Sequence, residues 1–184
     1  MSLGNVFHVV GLLLSFFGLS MLAPWGVALL YGDGGSVPLF LSFVLTLGTG
    51  LTLFLGTRLD SEITAREGYA IVTFAWASAG FFGSLPYLLS GTVEGFVPAY
   101  FESISGLTTT GATIFSDIEA LPHGILFWRS FTHWIGGMGI IVLAVAVLPY
   151  LGVGGMQLFR AEVPGPTPER LQPRITQTAK LLWL

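Results

Sequence analysis

The residues with the clearest chemical potential lie in one short run. Leu107-Thr108-Thr109-Thr110-Gly111-Ala112-Thr113 is small, uncharged and rich in backbone relative to side chain. It holds no nucleophile–base pair, but it presents closely spaced carbonyl and hydroxyl oxygens. A cation that sheds its water needs oxygen ligands, and a line of backbone carbonyls supplies them. Glycine permits φ values that other L-residues resist, so consecutive carbonyls can turn toward one axis. Alone, Thr109-Thr110-Gly111 reads as a polar turn between two helices. Its surroundings change that reading.

Phe96–Gly106, just before the run, is moderately apolar and as a helix would be roughly 15 Å long. That is half a bilayer, the length of a re-entrant segment. Non-helical backbone at membrane depth is tolerated only where it is buried or lines water. A half-helix ending in a Thr/Gly strand therefore reads as a pore loop, with its partly negative C-terminal end aimed at an entering cation. On this reading the carbonyls of Thr109, Thr110, Gly111 and Ala112 bind the ion, flanked by Thr108 and Thr113. The Thr-x-Gly frame of Thr109-Thr110-Gly111 is shared with the Thr-Val-Gly-Tyr-Gly filter of potassium channels, which by itself is a weak signal for potassium at Thr109, Thr110 and Gly111.

Other candidates have plainer readings beside the functional one. Glu102 sits in the half-helix, where an ionised carboxylate is costly unless paired. A Glu102–Arg129 pair bracing the filter is one possibility; separate contacts to backbone and interfacial water are the other. Histidine is a common acid–base group and metal ligand, yet neither His133 nor His8 has an i+4 His or carboxylate partner. A structural hydrogen bond for His133 and an interfacial position for His8 are the simpler expectations. Gly136-Gly137-Met138-Gly139 could hinge a helix, though small residues more commonly let helices approach closely.

The elements that must position these residues are apolar. The 184 residues are 53% hydrophobic and 9% charged, with a mean hydropathy of +0.79. Soluble domains carry roughly a quarter charged residues. Four long apolar segments stand out: Val6–Leu30, Val37–Leu55, Tyr69–Leu89 and Gly124–Leu151. Gly32-Asp33-Gly34-Gly35-Ser36 is a tight turn that makes the first two a hairpin. The expected fold class is an all-α membrane protein, with two leading transmembrane helices and one helix–pore-loop–helix unit holding a short re-entrant helix and an extended filter strand. The divisions are 1–56 for the hairpin, 57–68 for a charged cytoplasmic loop, 69–151 for the unit and 152–184 for a cytoplasmic linker. Lys180–Leu184 reads as the first turn of a further helix that has been cut off. With no Lys or Arg before Val6 and no cleavage pattern after it, the first segment reads as a retained span.

Charge gives the orientation. With the N-terminus cytoplasmic, Arg58, Arg66, Arg160, Arg170, Arg174 and Lys180 fall inside, and only Arg129 falls outside; that agrees with the positive-inside rule. A formal net charge of −3 leaves no basic footprint for nucleic acid. The absence of cysteine removes disulfides and thiolate chemistry.

Phe101-Glu102-Ser103-Ile104-Ser105-Gly106-Leu107-Thr108-Thr109-Thr110-Gly111-Ala112-Thr113 strongly resembles the first pore loop of the Trk/Ktr/HKT potassium transporter superfamily. Trp128-Arg129-Ser130, His133-Trp134-Ile135-Gly136-Gly137-Met138-Gly139 and Gln157-Leu158-Phe159-Arg160-Ala161-Glu162 look like the family's following helix and its cytoplasmic end. The bacterial TrkH/TrkG type is the branch they match. The resemblance implies four helix–pore-loop–helix units around one pore, of which this chain holds the first behind two extra helices. It also implies potassium uptake in a bacterial inner membrane, homodimers of the full-length family, and a cytosolic TrkA-type nucleotide-binding partner. Lipid is the other partner, no cofactor is implied, and no enzyme activity is expected. The alternatives are a non-conducting truncated fragment or scaffold, and a membrane-embedded enzyme using Glu102 or His133.

Overall fold

The structure is a computed structural model that describes residues 2–58 and 63–151, the side chains of residues 65 and 139–151 excepted. It divides into two compact units, Met1–Gly137 and Met138–Leu184. The motif at residues 157–162 and the tail from residue 152 lie outside the described residues.

Among the described residues six helices follow one another: α1 (Leu3–Ser20), α2 (Leu22–Tyr31), α3 (Ser36–Gly56), α4 (Ala65–Leu89), α5 (Phe96–Leu107) and α6 (His123–Leu151). Among the described residues there is no strand pairing. Among the described residues, three stretches are long and apolar enough to cross a membrane: Leu3–Tyr31, Ser36–Gly56 and Arg66–Leu89. The chain is an all-α membrane protein.

Two expected boundaries are corrected. The segment Val6–Leu30 is two helices, broken at Met21. Pro24 explains the break: it has no N–H to give the Ser20 carbonyl, and its ring crowds that same carbonyl. The expected loop over residues 57–68 is also shorter, because α4 begins at Ala65. Thr64 caps it, its side chain accepting from the Glu67 N–H while the Glu67 carboxylate accepts from the Thr64 N–H at 2.9 Å. This reciprocal capping box satisfies two otherwise orphaned donors. Glu67 also accepts from the Ser2 N–H at 2.5 Å, tying the start of the chain to α4.

The hairpin turn falls where expected, with Gly32 in the left-handed region (φ 64°) closing α2. One end of the unit gathers Ser2, Thr57 and Glu67, with His8 donating from Nδ1 to the Thr57 carbonyl at 2.9 Å. At the other end, Asp33 meets the first residue of α6. The Asp33 carboxylate accepts from the His123 backbone N–H and, at 3.0 Å, from its Nδ1. Burial works to raise the Asp33 pKa, but hydrogen bonds from His123 and Gly35 outweigh it and hold the group below the usual carboxylate value.

The core lies where α1, α4, α5 and α6 meet. Phe17, Met21, Tyr87, Ala99, Leu107, Ile125 and Trp128 are buried together. Trp128 is completely buried, and its indole N–H donates to the Gly83 carbonyl at 3.0 Å. That bond satisfies the one polar atom of the side chain and fixes α6 against α4.

Candidate functional site: the Thr/Gly run and its scaffold

The half-helix α5 has 12 residues, roughly 18 Å of rise. Gly95, at φ 90°, turns the chain into it, and Pro98 sits in the first turn, where the missing N–H leaves no bond unmade. Ala99, Glu102, Ser103, Ser105, Gly106 and Leu107 are buried. Against that sheltered face, every residue from Thr108 to Ile114 is exposed. The run therefore lies over a packed platform with one side open.

How α5 ends determines the shape of the run. The Thr109 N–H donates to the Gly106 carbonyl at 2.9 Å and the Thr110 N–H to the Ser105 carbonyl at 3.0 Å. These are the two bonds of a Schellman cap, with Thr109 in the left-handed position that glycine usually fills. Its φ is 56°, and it is the one non-glycine residue with positive φ among those described. For a β-branched side chain this is an outlier, costing on the order of 1–3 kcal/mol. Gly111 follows at φ 76°. The sign of φ thus alternates: negative at Thr108, positive at Thr109, negative at Thr110, positive at Gly111. In an ordinary strand successive peptide groups point to opposite sides; left-handed residues at every second position break that alternation and redirect the carbonyls beside them.

Beneath the run is a polar scaffold. The Glu102 side chain is 1% exposed, and Arg129 donates to it from Nε at 2.8 Å. The structure thus brings together the pair that the sequence left as two alternatives. The same carboxylate accepts from the Thr113 hydroxyl at 3.0 and 3.1 Å and from the Ile114 N–H at 3.0 Å. A buried carboxylate is tolerated when it is paired and its remaining lone pairs are bonded. Glu102 meets both conditions, and it joins α5, α6 and the far end of the run.

The expected site residues fall into distinct settings. Thr108 donates its hydroxyl to the Ile104 carbonyl and lies 2.8 Å from the Thr110 hydroxyl. The Ala112 carbonyl accepts from the Ser105 hydroxyl at 2.5 Å, so one of its lone pairs is spent on α5. His133 donates from Nδ1 to the Arg129 carbonyl at 2.9 Å, the structural bond expected of it. Gly136 packs directly on the Leu107 carbonyl, and a Cβ there would collide with it. Close helix approach is therefore the role of Gly136. Sequence reasoning assigned nothing to Ser105, which sits in the last turn of α5 near Ser103 with nothing in residue type or spacing to single it out. Among the described residues, no group of His, Cys, Asp or Glu side chains could hold a metal ion.

A half-helix, a Thr/Gly run with alternating φ and two enclosing helices define a helix–pore-loop–helix unit in an all-α membrane protein. The family profile described as TrkH, cation transport protein, matches residues 39–184. The chain belongs to the TrkH family. It is 49% identical over its whole length to the Trk system potassium uptake protein TrkH of Vibrio parahaemolyticus, and covers 38% of that protein. It is 48% identical over 180 residues to the Escherichia coli K12 protein of the same name, covering 37% of it, and 38% identical over 182 residues to E. coli TrkG, covering 38%. The crystal structure of the potassium transporter TrkH from V. parahaemolyticus superposes with a TM-score of 0.81 at 44% identity, covering all of this chain and 36% of that one. The chain thus spans little more than a third of the length of these relatives.

Proposed function

We propose that this chain contributes one of four filter segments to a potassium-uptake pathway. The carbonyls of Thr109, Thr110 and Gly111 face the ion, Thr108 and Thr113 flank them, and the Ala112 carbonyl is shared with Ser105. The observation that carries this reading is the alternation of φ from Thr108 to Gly111 on an exposed run backed by a buried, hydrogen-bonded platform. Conduction uses backbone oxygens and no covalent chemistry. The fully bonded state of Glu102 supports a bracing role for the Glu102–Arg129 pair over acid–base work. One unit supplies one side of such a path, and the remaining sides come from further units of the same kind.

The family resemblance supports a bacterial inner-membrane location, and the charge distribution supports a cytoplasmic N-terminus, which external labelling of a single cysteine placed at Gly34 tests. The family resemblance supports a homodimer and a TrkA-type cytosolic subunit, for which co-purification is the test. The division into a leading hairpin (1–56), a pore unit (69–151) and a cytoplasmic linker (152–184) belongs to the same reading.

The decisive experiment concerns Gly111. A Cβ disfavours the left-handed conformation by roughly 1–2 kcal/mol, and 1.4 kcal/mol is about tenfold in binding. Gly111→Ser and Gly111→Ala, made in the complete protein as its cells produce it, should lower the potassium-to-sodium uptake ratio by about an order of magnitude. Retention of the wild-type ratio by both would show that the run is not the filter.

A further inference from the structure

Ser105 is buried on α5, 4% exposed, yet it reaches three successive residues of the run above it. Its carbonyl accepts the Thr110 N–H at 3.0 Å and, more weakly, the Gly111 N–H at 3.4 Å. Its hydroxyl donates to the Ala112 carbonyl at 2.5 Å. The first of these belongs to the helix cap, and both bonds to the carbonyl survive any side chain at this position because they use backbone alone. The third depends on the hydroxyl and is a bond of different kind: it fixes a carbonyl in the very stretch where carbonyl direction matters.

We propose that Ser105 is a positioning residue for ion selectivity, its hydroxyl holding the Ala112 carbonyl so that the peptide groups on either side of Gly111 keep their directions. The inference rests on the filter reading above. Gly111 is the most permissive residue of the run and can take several backbone conformations. The cap restrains it on its N-terminal side. On its C-terminal side Thr113 is held by Glu102, which leaves the Gly111–Ala112–Thr113 peptides to be fixed between those two anchors. The Ser105 hydroxyl supplies that restraint. Without it, rotation about Gly111 is opposed by the backbone bonds of Thr110 and Gly111 to the Ser105 carbonyl and by the bonds at Thr113, none of which holds the Ala112 carbonyl, and the carbonyl line loses its register. Glu102 and Ser105 thus divide the labour: the carboxylate sets where the run ends, and the hydroxyl sets which way its carbonyls face.

The test compares Ser105→Ala, Ser105→Cys and Ser105→Thr with Gly111→Ser in the complete protein, at matched membrane levels. The readouts are the potassium-to-sodium and potassium-to-rubidium uptake ratios, which a merely structural role would leave unchanged. Ser105→Ala should lower the potassium-to-sodium ratio roughly three- to tenfold, the range that one net hydrogen bond allows. Ser105→Cys, a weaker donor of similar size, should fall between Ala and the wild type. Ser105→Thr, which keeps the hydroxyl, should restore most of the ratio. A wild-type ratio in Ser105→Ala, beside a changed one in Gly111→Ser, overturns the clamp and leaves the filter reading standing. Unchanged ratios in both overturn the filter reading itself. If neither Ser105→Ala nor Ser105→Cys accumulates in the membrane, Ser105 serves folding and the proposal fails.

Discussion

Two parts of the molecule are assembled from similar apolar helices and held by different forces. Along their length α1 and α3 meet backbone against backbone, with His8 tied to the Thr57 carbonyl where α3 ends. A Cβ on Gly11 would lie 2.6 Å from the Phe54 nitrogen, and one on Gly50 would lie 2.6 Å from the Ser15 nitrogen. The hydroxyls of Ser42, Thr46, Thr49 and Thr52 all bond back to their own helix four residues earlier. This is the packing expected where lipid removes the hydrophobic drive for association and close approach must supply it. Around α5 the ties instead cross between elements. Trp128 reaches Gly83, Arg129 reaches Glu102, and Glu102 and Ser105 reach the exposed run. Close packing is enough to hold two helices side by side. A segment that lacks regular hydrogen bonds of its own needs directional ones from outside, because van der Waals contact does not specify which way a carbonyl points.

The comparison breaks first at Arg129. Arg129→Ala leaves the Glu102 carboxylate buried and without its counter-charge, a change that typically costs about 3–5 kcal/mol. A large drop in thermal stability in detergent is expected, accompanied by lost ion selectivity. Glu102→Gln in the Arg129→Ala background should recover part of the stability, since the amide removes the uncompensated charge. No recovery would mean that the pair matters by packing rather than by charge.

A smaller effect is expected at the other region. Gly11→Ala forces α1 and α3 apart and should cost about 1–3 kcal/mol by overpacking. Because no bond to the Thr/Gly run crosses this contact, the potassium-to-sodium ratio should stay at its wild-type value while stability falls. A changed ratio would show that the two regions are coupled. The smallest effect belongs to Asp33. Losing its capping carboxylate in Asp33→Ala should cost about 1 kcal/mol. The Asp33 pKa is depressed in the folded protein, so its stabilisation is complete above the ordinary value of 3.8 and fades as pH falls through the lower folded value. Thermal stability of the wild type and Asp33→Ala should therefore converge on acidification below that point; a constant gap would assign the effect to packing.

Much of this was legible without coordinates. Composition alone required a membrane, since so few charged residues cannot cover a soluble surface. Length alone separated the half-helix at Phe96 from the spans on either side, and the Thr/Gly run after it pointed to a carbonyl-lined path. These features are local: hydropathy, helix length and the freedom of glycine act over a few residues and can be read in order. The glycine-rich turn at residues 32–35 was equally plain, because a left-handed residue was needed there and Gly32 supplies it.

Other features were decided by residues far apart in the chain. The break at Met21 was within reach of sequence, through Pro24, but was hidden by an unbroken apolar run. Whether Glu102 and Arg129 meet was not within reach. They are separated by 27 residues, and their pairing depends on α5 and α6 packing at the Gly136–Leu107 contact. The left-handed Thr109 could not be read either, because threonine resists that conformation and only the cap at the end of α5 imposes it. Ser105 had no mark of its own among the serines of a polar helix face. Residue types and local spacing determined what the segment is made of and where it sits; the direction of each carbonyl was decided by hydrogen bonds and a buried charge that only the folded chain brings together.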